Sequence, residues 1–239
     1  MNSFDLKVLI NQKKAPKKMS DYIRKVCLDG DKLQSVNFHN LEYDSVSFFN
    51  LSIIDSDLSK ANFSNSLFKN VRFTNTGILG KFINCVFMNC SFDSMEISII
   101  NTENCQFIGC TFNSIEKLIL HGYRSKFIKN QFNNVAIANS SFASCLFLEN
   151  DFIESKITNS PFQSNFFFEN KFFKVKNVKS NNFLATFYKN EYEKTTGFEK
   201  DLIFNEEKKS YVQQGEQIDN MKNYAKQMAI ILSNKGTKK

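Results

Sequence analysis

The sequence predicts an all-β solenoid, a chain wound into a coil with four short sides to each turn. Three observations predict it: a large apolar residue at every fifth position, a small residue two places before it, and a recurrence of like residues at a lag of twenty. Stepping by five from Leu33 gives Phe38, Tyr43, Phe48, Ile53, Leu58, Phe63, Phe68, Phe73 and Ile78. One residue is then lost. From Phe82 the step continues through Phe87, Phe92, Ile97, Phe107, Phe112, Phe127, Phe132, Ile137, Phe142, Phe147, Phe152, Ile157, Phe162, Phe167 and Phe172, broken at Thr102, Lys117 and Gly122. A further slip leads to Val178, Phe183 and Tyr188. Of the chain's 27 Phe, 18 hold this one position, so the period is a property of the pattern and not of the composition.

A period of five fits neither a helix at 3.6 nor a strand at 2, so each unit must join a short extended piece to a corner. Residues two apart on an extended piece face the same way. The second inward position is therefore the small one: Ser56, Ala61, Ser66, Val71, Cys85, Cys90, Cys105, Cys110, Val135, Ser140 and Cys145. A lag of twenty brings Cys85 to Cys105, Cys90 to Cys110, and aligns Asn130, Asn150 and Asn170. It also makes one column of Phe87, Phe107, Phe127, Phe147 and Phe167, and another of Phe92, Phe112, Phe132, Phe152 and Phe172. Four units of five make one turn. About seven turns stacked at roughly 4.8 Å give a rod on the order of 35 Å long, held by stacked rings and an Asn ladder.

Units such as Ser56-Asp57-Leu58-Ser59-Lys60, Ala61-Asn62-Phe63-Ser64-Asn65 and Val71-Arg72-Phe73-Thr74-Asn75 resemble the pentapeptide-repeat proteins, whose motif is small residue, Asp or Asn, Leu or Phe, small polar, any residue. The resemblance covers about residues 31–195 and implies a right-handed quadrilateral β-helix. Arg72, Val86, Gln106, Lys126 and Leu146 replace the family's Asp or Asn, so its outward chemistry does not transfer.

The flanks carry other signals. Residues 1–30 hold Lys13, Lys14, Lys17, Lys18, Arg24 and Lys25 outside the five-residue register, and Ser20 is placed to N-cap a short helix ending near Gly30. They read as a basic cap over the coil's open end, or an arm for an acidic partner. Residues 196–239 place Tyr211, Ile218, Ala225 and Leu232 seven apart, with Met221 and Met228 between them. That is the apolar stripe of a C-terminal α-helix, suited to capping the last turn or to homodimer contacts, and the resemblance favours a dimer. Inside the coil, Glu116 to Arg124 breaks the period in two successive units. A bulged side or projecting loop is expected there, with Lys117, His121, Tyr123 and Arg124 as candidate interaction residues.

The sequence offers little for chemistry. The series Cys85, Cys90, Cys105 and Cys110 sits at the small inward position among Phe rings, which suits core thiols and not a tetrahedral zinc site. His39 and His121 lie about four turns apart, and Cys27 is a lone thiol outside the ladder. The eight glycines form no phosphate loop. The reading is a non-enzymatic protein with no catalytic residue, no metal and no cofactor. No apolar run approaches the roughly 18 residues of a membrane span, and six Cys without a secretory signal suggest a bacterial cytoplasm.

Charge separates the remaining readings. Net charge is +7, but the coil 31–195 holds 16 basic and 15 acidic residues. Along it, residues 31–113 are net −3 and residues 114–195 net +4. Some members of the family that this sequence resembles protect bacterial type II topoisomerases by mimicking DNA, which demands a strongly negative rod. This one is nearly neutral, and inward-facing Phe leave no basic groove with exposed aromatics for nucleic acid. The expectation is a scaffold for a protein partner. Topoisomerase protection and export as an effector, hinted by the basic N-terminus, stand as the competing readings.

Overall fold

Cys27 pairs with Ser47, Lys32 with Ser52 and Glu42 with Asn62, all in parallel, and an offset of twenty residues recurs to the end of the coil. The computed structural model describes residues 22–24, 27–30, 32–36, 38, 42–180, 185–197, 204–205 and 210–211. The chain divides into two compact units, residues 1–201 and 202–239. In the second, Phe204–Asn205 and Ser210–Tyr211 form a short antiparallel pair.

In the first unit, one side of the coil stacks nine three-residue strands from Cys27–Asp29 to Thr186–Tyr188. Eight turns separate the first from the last, about 38 Å at roughly 4.8 Å per turn. Each unit repeats one local plan. A small residue and the centre face inward, the two residues flanking the centre face outward, and the fifth turns the corner in the left-handed region. Asn50, Asp55, Lys60, Asn65, Asn70 and Asn75 all have φ between 46° and 57°. Asn and Asp tolerate that region best, which explains their abundance at this phase. Corners at Lys129, Glu149, Glu154 and Lys174 are held by the fold against their own preference.

The interior is a set of stacked columns. Phe48, Phe68, Phe87, Phe107, Phe127, Phe147, Phe167 and Phe187 stack with ring centroids 4.6–5.2 Å apart. A second column runs from Phe73 through Phe92, Phe112, Phe132, Phe152 and Phe172 to Tyr192. The Asn ladder forms and extends one turn beyond its expected members. Asn130 Nδ2 donates to Asn150 Oδ1, Asn150 to Asn170 and Asn170 to Asn190, at 2.9–3.0 Å. Each amide also donates to a carbonyl of the turn before, as Asn150 does to Phe127 O at 2.9 Å, so burial leaves these polar groups satisfied.

Four expectations need correction. First, the coil begins before residue 31: Tyr22–Arg24 and Cys27–Asp29 are strands paired with Glu42–Asp44 and Ser47–Phe49, where a helix was expected up to Gly30. Ile23 and Leu28 continue the step of five, but the basic Arg24 and Lys25 masked it. Second, Lys117 is not an inward centre. Thr111–Tyr123 is one continuous strand with a register shift between Ile115 and Leu118, so Leu118 and not Lys117 is buried and pairs with Ile137. Ile97 pairs with Lys117, and its neighbour Ser98 is buried. Third, of the bulged side or projecting loop expected at Glu116 to Arg124, the structure has the bulge, within the paired sheet between Ile115 and Leu118, and not the loop. Fourth, no slip follows Phe172: Asn177 and Phe187 are buried at the centre, and Val178 lies on the outward phase.

Candidate interaction face

The residue lost after Ile78 removes a corner. Asn62 pairs with Lys81, Leu67 with Val86 and Arg72 with Ser91, an offset of nineteen in this one turn. The strand Leu79–Ile83 runs straight through the place where Lys60, one turn earlier, bends the chain. Gly80 permits this, because a Cβ there would lie 2.8 Å from the Ala61 carbonyl oxygen. The next two turns repeat the corner-free run in Ile97–Glu103 and in the part of Thr111–Tyr123 that follows the corner at Ser114, and the corner returns at Asn139. Two sides of the coil are thereby merged into one broad panel three strands deep.

Its outward columns differ from those elsewhere. Leu79 pairs with Ile99, and Ile99 with Ile119, which makes an apolar ridge parallel to the coil axis. The next column is Lys81, Asn101, His121 and Ser141, and the one after it Ile83, Glu103, Tyr123, Ala143 and Gln163. Leu79 at 39% and Tyr123 at 42% are the exposed large hydrophobic residues among the described ones, and both lie on this panel. Ser141 and Ala143 are short, while His121 and Tyr123 stand on the turn before and Pro161 and Gln163 on the turn after. The result is a shallow groove of about 460 Å³ reaching from Lys81 to Gln163.

The groove's walls are braced. The Arg124 guanidinium carbon sits 4.8 Å from the centroid of the Tyr123 ring, a cation–π contact that holds the ring upright. His121 Nδ1 lies 2.8 Å from Ser141 Oγ. Behind the wall, Gly122 occupies a centre position where a Cβ would stand 3.0 Å from Cys145 Sγ and 3.1 Å from Phe142 Cδ1. The neighbouring turn's Phe142 fills the space that a centre residue would need.

Lys117, His121, Tyr123 and Arg124 therefore fall on one surface: His121 and Tyr123 line the groove, Arg124 supports it, and Lys117 lies at the panel's opposite edge. Sequence reasoning missed Leu79, Ile99, Ile119, Lys81 and Gln163. The signal was present in the lost residue beside Gly80, but it reads as a flaw in the period until the strands are laid side by side. Of the apolar stripe, Tyr211 lies in a two-residue strand paired with Phe204 and so does not begin a helix. Ile218, Met221, Ala225, Met228, Leu232 and also His39 lie outside the described residues.

The inward thiols are occupied with backbone groups. Cys85 Sγ lies 3.4 Å from the carbonyl oxygens of Phe63 and Ile83, and Cys105 Sγ 3.3 Å from that of Phe82. The contact with the Cys105 thiol, followed by burial, holds Cys85 far above the ordinary thiol range. Burial pushes the Cys145 thiol up to about 11. Cys27 is the exposed thiol. Among the described residues no group of three or more His, Cys, Asp and Glu could hold a metal ion. No helix among them is long and apolar enough to cross a membrane.

No protein-family profile and no curated protein matches the sequence. Solved structures do. QnrB1, a plasmid-mediated fluoroquinolone resistance protein, superposes with a TM-score of 0.55 at 12% identity, over 76% of this chain and 97% of its own. HetL, a pentapeptide-repeat protein involved in heterocyst differentiation regulation from the cyanobacterium Nostoc sp. strain PCC 7120, gives 0.52 at 6% identity, over 71% and 86%.

Proposed function

We propose that this chain, whose units resemble the pentapeptide-repeat motif and whose fold is like that of QnrB1 and HetL, is a non-enzymatic scaffold, a right-handed quadrilateral coil that presents the corner-free panel to a protein partner. One observation carries the reading: the exposed large hydrophobic residues, the groove and the merged strands coincide on a single surface, while each ordinary side shows only two outward residues per strand. An exposed apolar ridge beside a polar groove is a feature of interaction surfaces. Affinity purification from the native host with mass spectrometry tests it, with Leu79→Lys and Tyr123→Ala as variants. A partner captured by the native chain and lost with both variants supports the panel; capture unaffected by either sinks it.

Topoisomerase protection is the competing reading. The likeness in fold to a fluoroquinolone resistance protein favours it, and the nearly neutral coil opposes it. A supercoiling assay with DNA gyrase and a quinolone separates the two, and rescue of supercoiling by this chain would put protection first. We assign the segment 196–239, tested through its part 205–239, to homodimer contacts or capping. Deletion of 205–239 should convert a dimer to a monomer, or cause aggregation through an exposed strand edge, in light scattering.

A further inference from the structure

The chemistry of the panel narrows the kind of partner it accepts. Its backbone has nothing to offer. The strands lie inside the stack, with the Lys81 N–H donating to Ala61 O, the Arg124 N–H to Ala143 O and the Phe142 N–H to Pro161 O, at 3.0–3.1 Å. Neighbouring turns likewise accept at the Glu103 and Tyr123 carbonyls, from the Asn84 and Asn104 N–H groups at 2.9 and 3.0 Å. An extended peptide gains affinity on a sheet by pairing with free edge groups. None is presented on this face, so an extended occupant would find polar partners only in side chains such as Asn101, His121 and Ser141, and each of its backbone groups left unsatisfied against the ridge or the Tyr123 ring would cost about 1–3 kcal/mol.

The dimensions point the same way. The groove crosses five stacked turns, those of Lys81, Asn101, His121, Ser141 and Pro161, which is about 19 Å along the axis. From the ridge at Ile99 to the wall at Glu103 is four residues of extended chain, about 13 Å. An α-helix with its side chains is about 10–12 Å across and satisfies its own backbone, and about 13 residues of it span 19 Å. Lys81 stands near one end of the groove and Arg124 beside the Tyr123 wall, with Glu103 between them.

We propose that the panel docks an amphipathic α-helix of a protein partner, lying parallel to the coil axis. Its apolar stripe rests on Leu79, Ile99 and Ile119 and against the Tyr123 ring, and its acidic residues meet Lys81 and Arg124. This rests on the panel being the interface. It adds that the occupant is helical.

The experiment uses the full chain and three synthetic peptide pools of about 15 residues and equal composition. One is stapled into a helix with Leu or Phe at i, i+4 and i+7 and Glu on the flanks. The second has the same sequences with a central Pro, and the third alternates apolar and polar residues. Fluorescence anisotropy should show binding of the stapled pool only, weakened about tenfold or more by Ile119→Lys and by Tyr123→Ala. Gln131→Lys, on another side of the coil, should leave binding unchanged. Equal binding of the Pro or alternating pool, or stapled binding indifferent to Ile119→Lys, overturns the inference. Host-partner capture that survives Leu79→Lys and Tyr123→Ala overturns the interface itself. Capture lost with those variants, while no stapled peptide binds, overturns only the helix.

Discussion

At the scale of single residues, two buried side chains make opposite demands on the core. Tyr43 is 1% exposed and stacks on Phe63 at 4.4 Å, yet its hydroxyl has no hydrogen-bond partner among the described residues. Burial also makes it a far weaker acid than an ordinary phenol, raising its pKa well above the usual range. Tyr43→Phe removes an unsatisfied polar group and keeps the ring, so it should raise stability by about 1–2 kcal/mol in urea titration. Cys145 behaves differently with pH. Its folded-state thiol ionises at about 11 against an ordinary value near 9, so the unfolded chain loses its proton first. Stability contributed by the neutral thiol is whole below pH 9 and falls by about 2 kcal/mol as pH rises towards 11. The denaturation midpoint of Cys145→Ala should decline less over that window than the native one; identical slopes would refute the shift. At Phe147, stacked between Phe127 and Phe167 at 4.8 and 4.6 Å, substitution by Asp buries an unpaired charge and should cost several kcal/mol, about 3 or more.

At the scale of elements, the ladders and corners carry the fold. Asn150 accepts from the Asn130 backbone and side chain and donates to Phe127 O and Asn170 Oδ1. Asn150→Leu keeps the bulk but strands several of these partners, and should cost roughly 3 kcal/mol in thermal or urea unfolding. A loss below that of an exposed corner substitution such as Asn159→Ala would refute the ladder's importance. Most of this was legible in advance, because column residues are set by a short period and their stacking by simple lag. Phe147, Cys85 and Asn150 fall where the period puts them. What was not legible arose where two local rules competed. Lys117 holds the right number for a centre, but a charged side chain costs too much there, so the strand bulges and hands the position to Leu118. Asn177 breaks the apolar rule and keeps the position opposite Ile157, where its side-chain amide donates to Gly197 O at 3.4 Å. The candidate face was visible only as defects, the residue lost beside Gly80 and the breaks at Lys117 and Gly122, since its ridge comes from three turns whose residues lie twenty apart.

At the scale of the whole coil, a regular stack makes stability a sum of nearly identical interfaces between turns, so truncation should act stepwise and not catastrophically. The twenty-residue register has a further consequence for how such a rod can change. Duplicating residues 146–165 would return every later strand to its own side and lengthen the rod by one layer. Inserting a single five-residue unit after Ser125 would instead advance everything beyond it by a quarter revolution, swinging the charged corners at Glu149 and Lys174 around the axis relative to the Leu79 ridge. The chain thus has two independent mutational dials, one for length and one for angular placement.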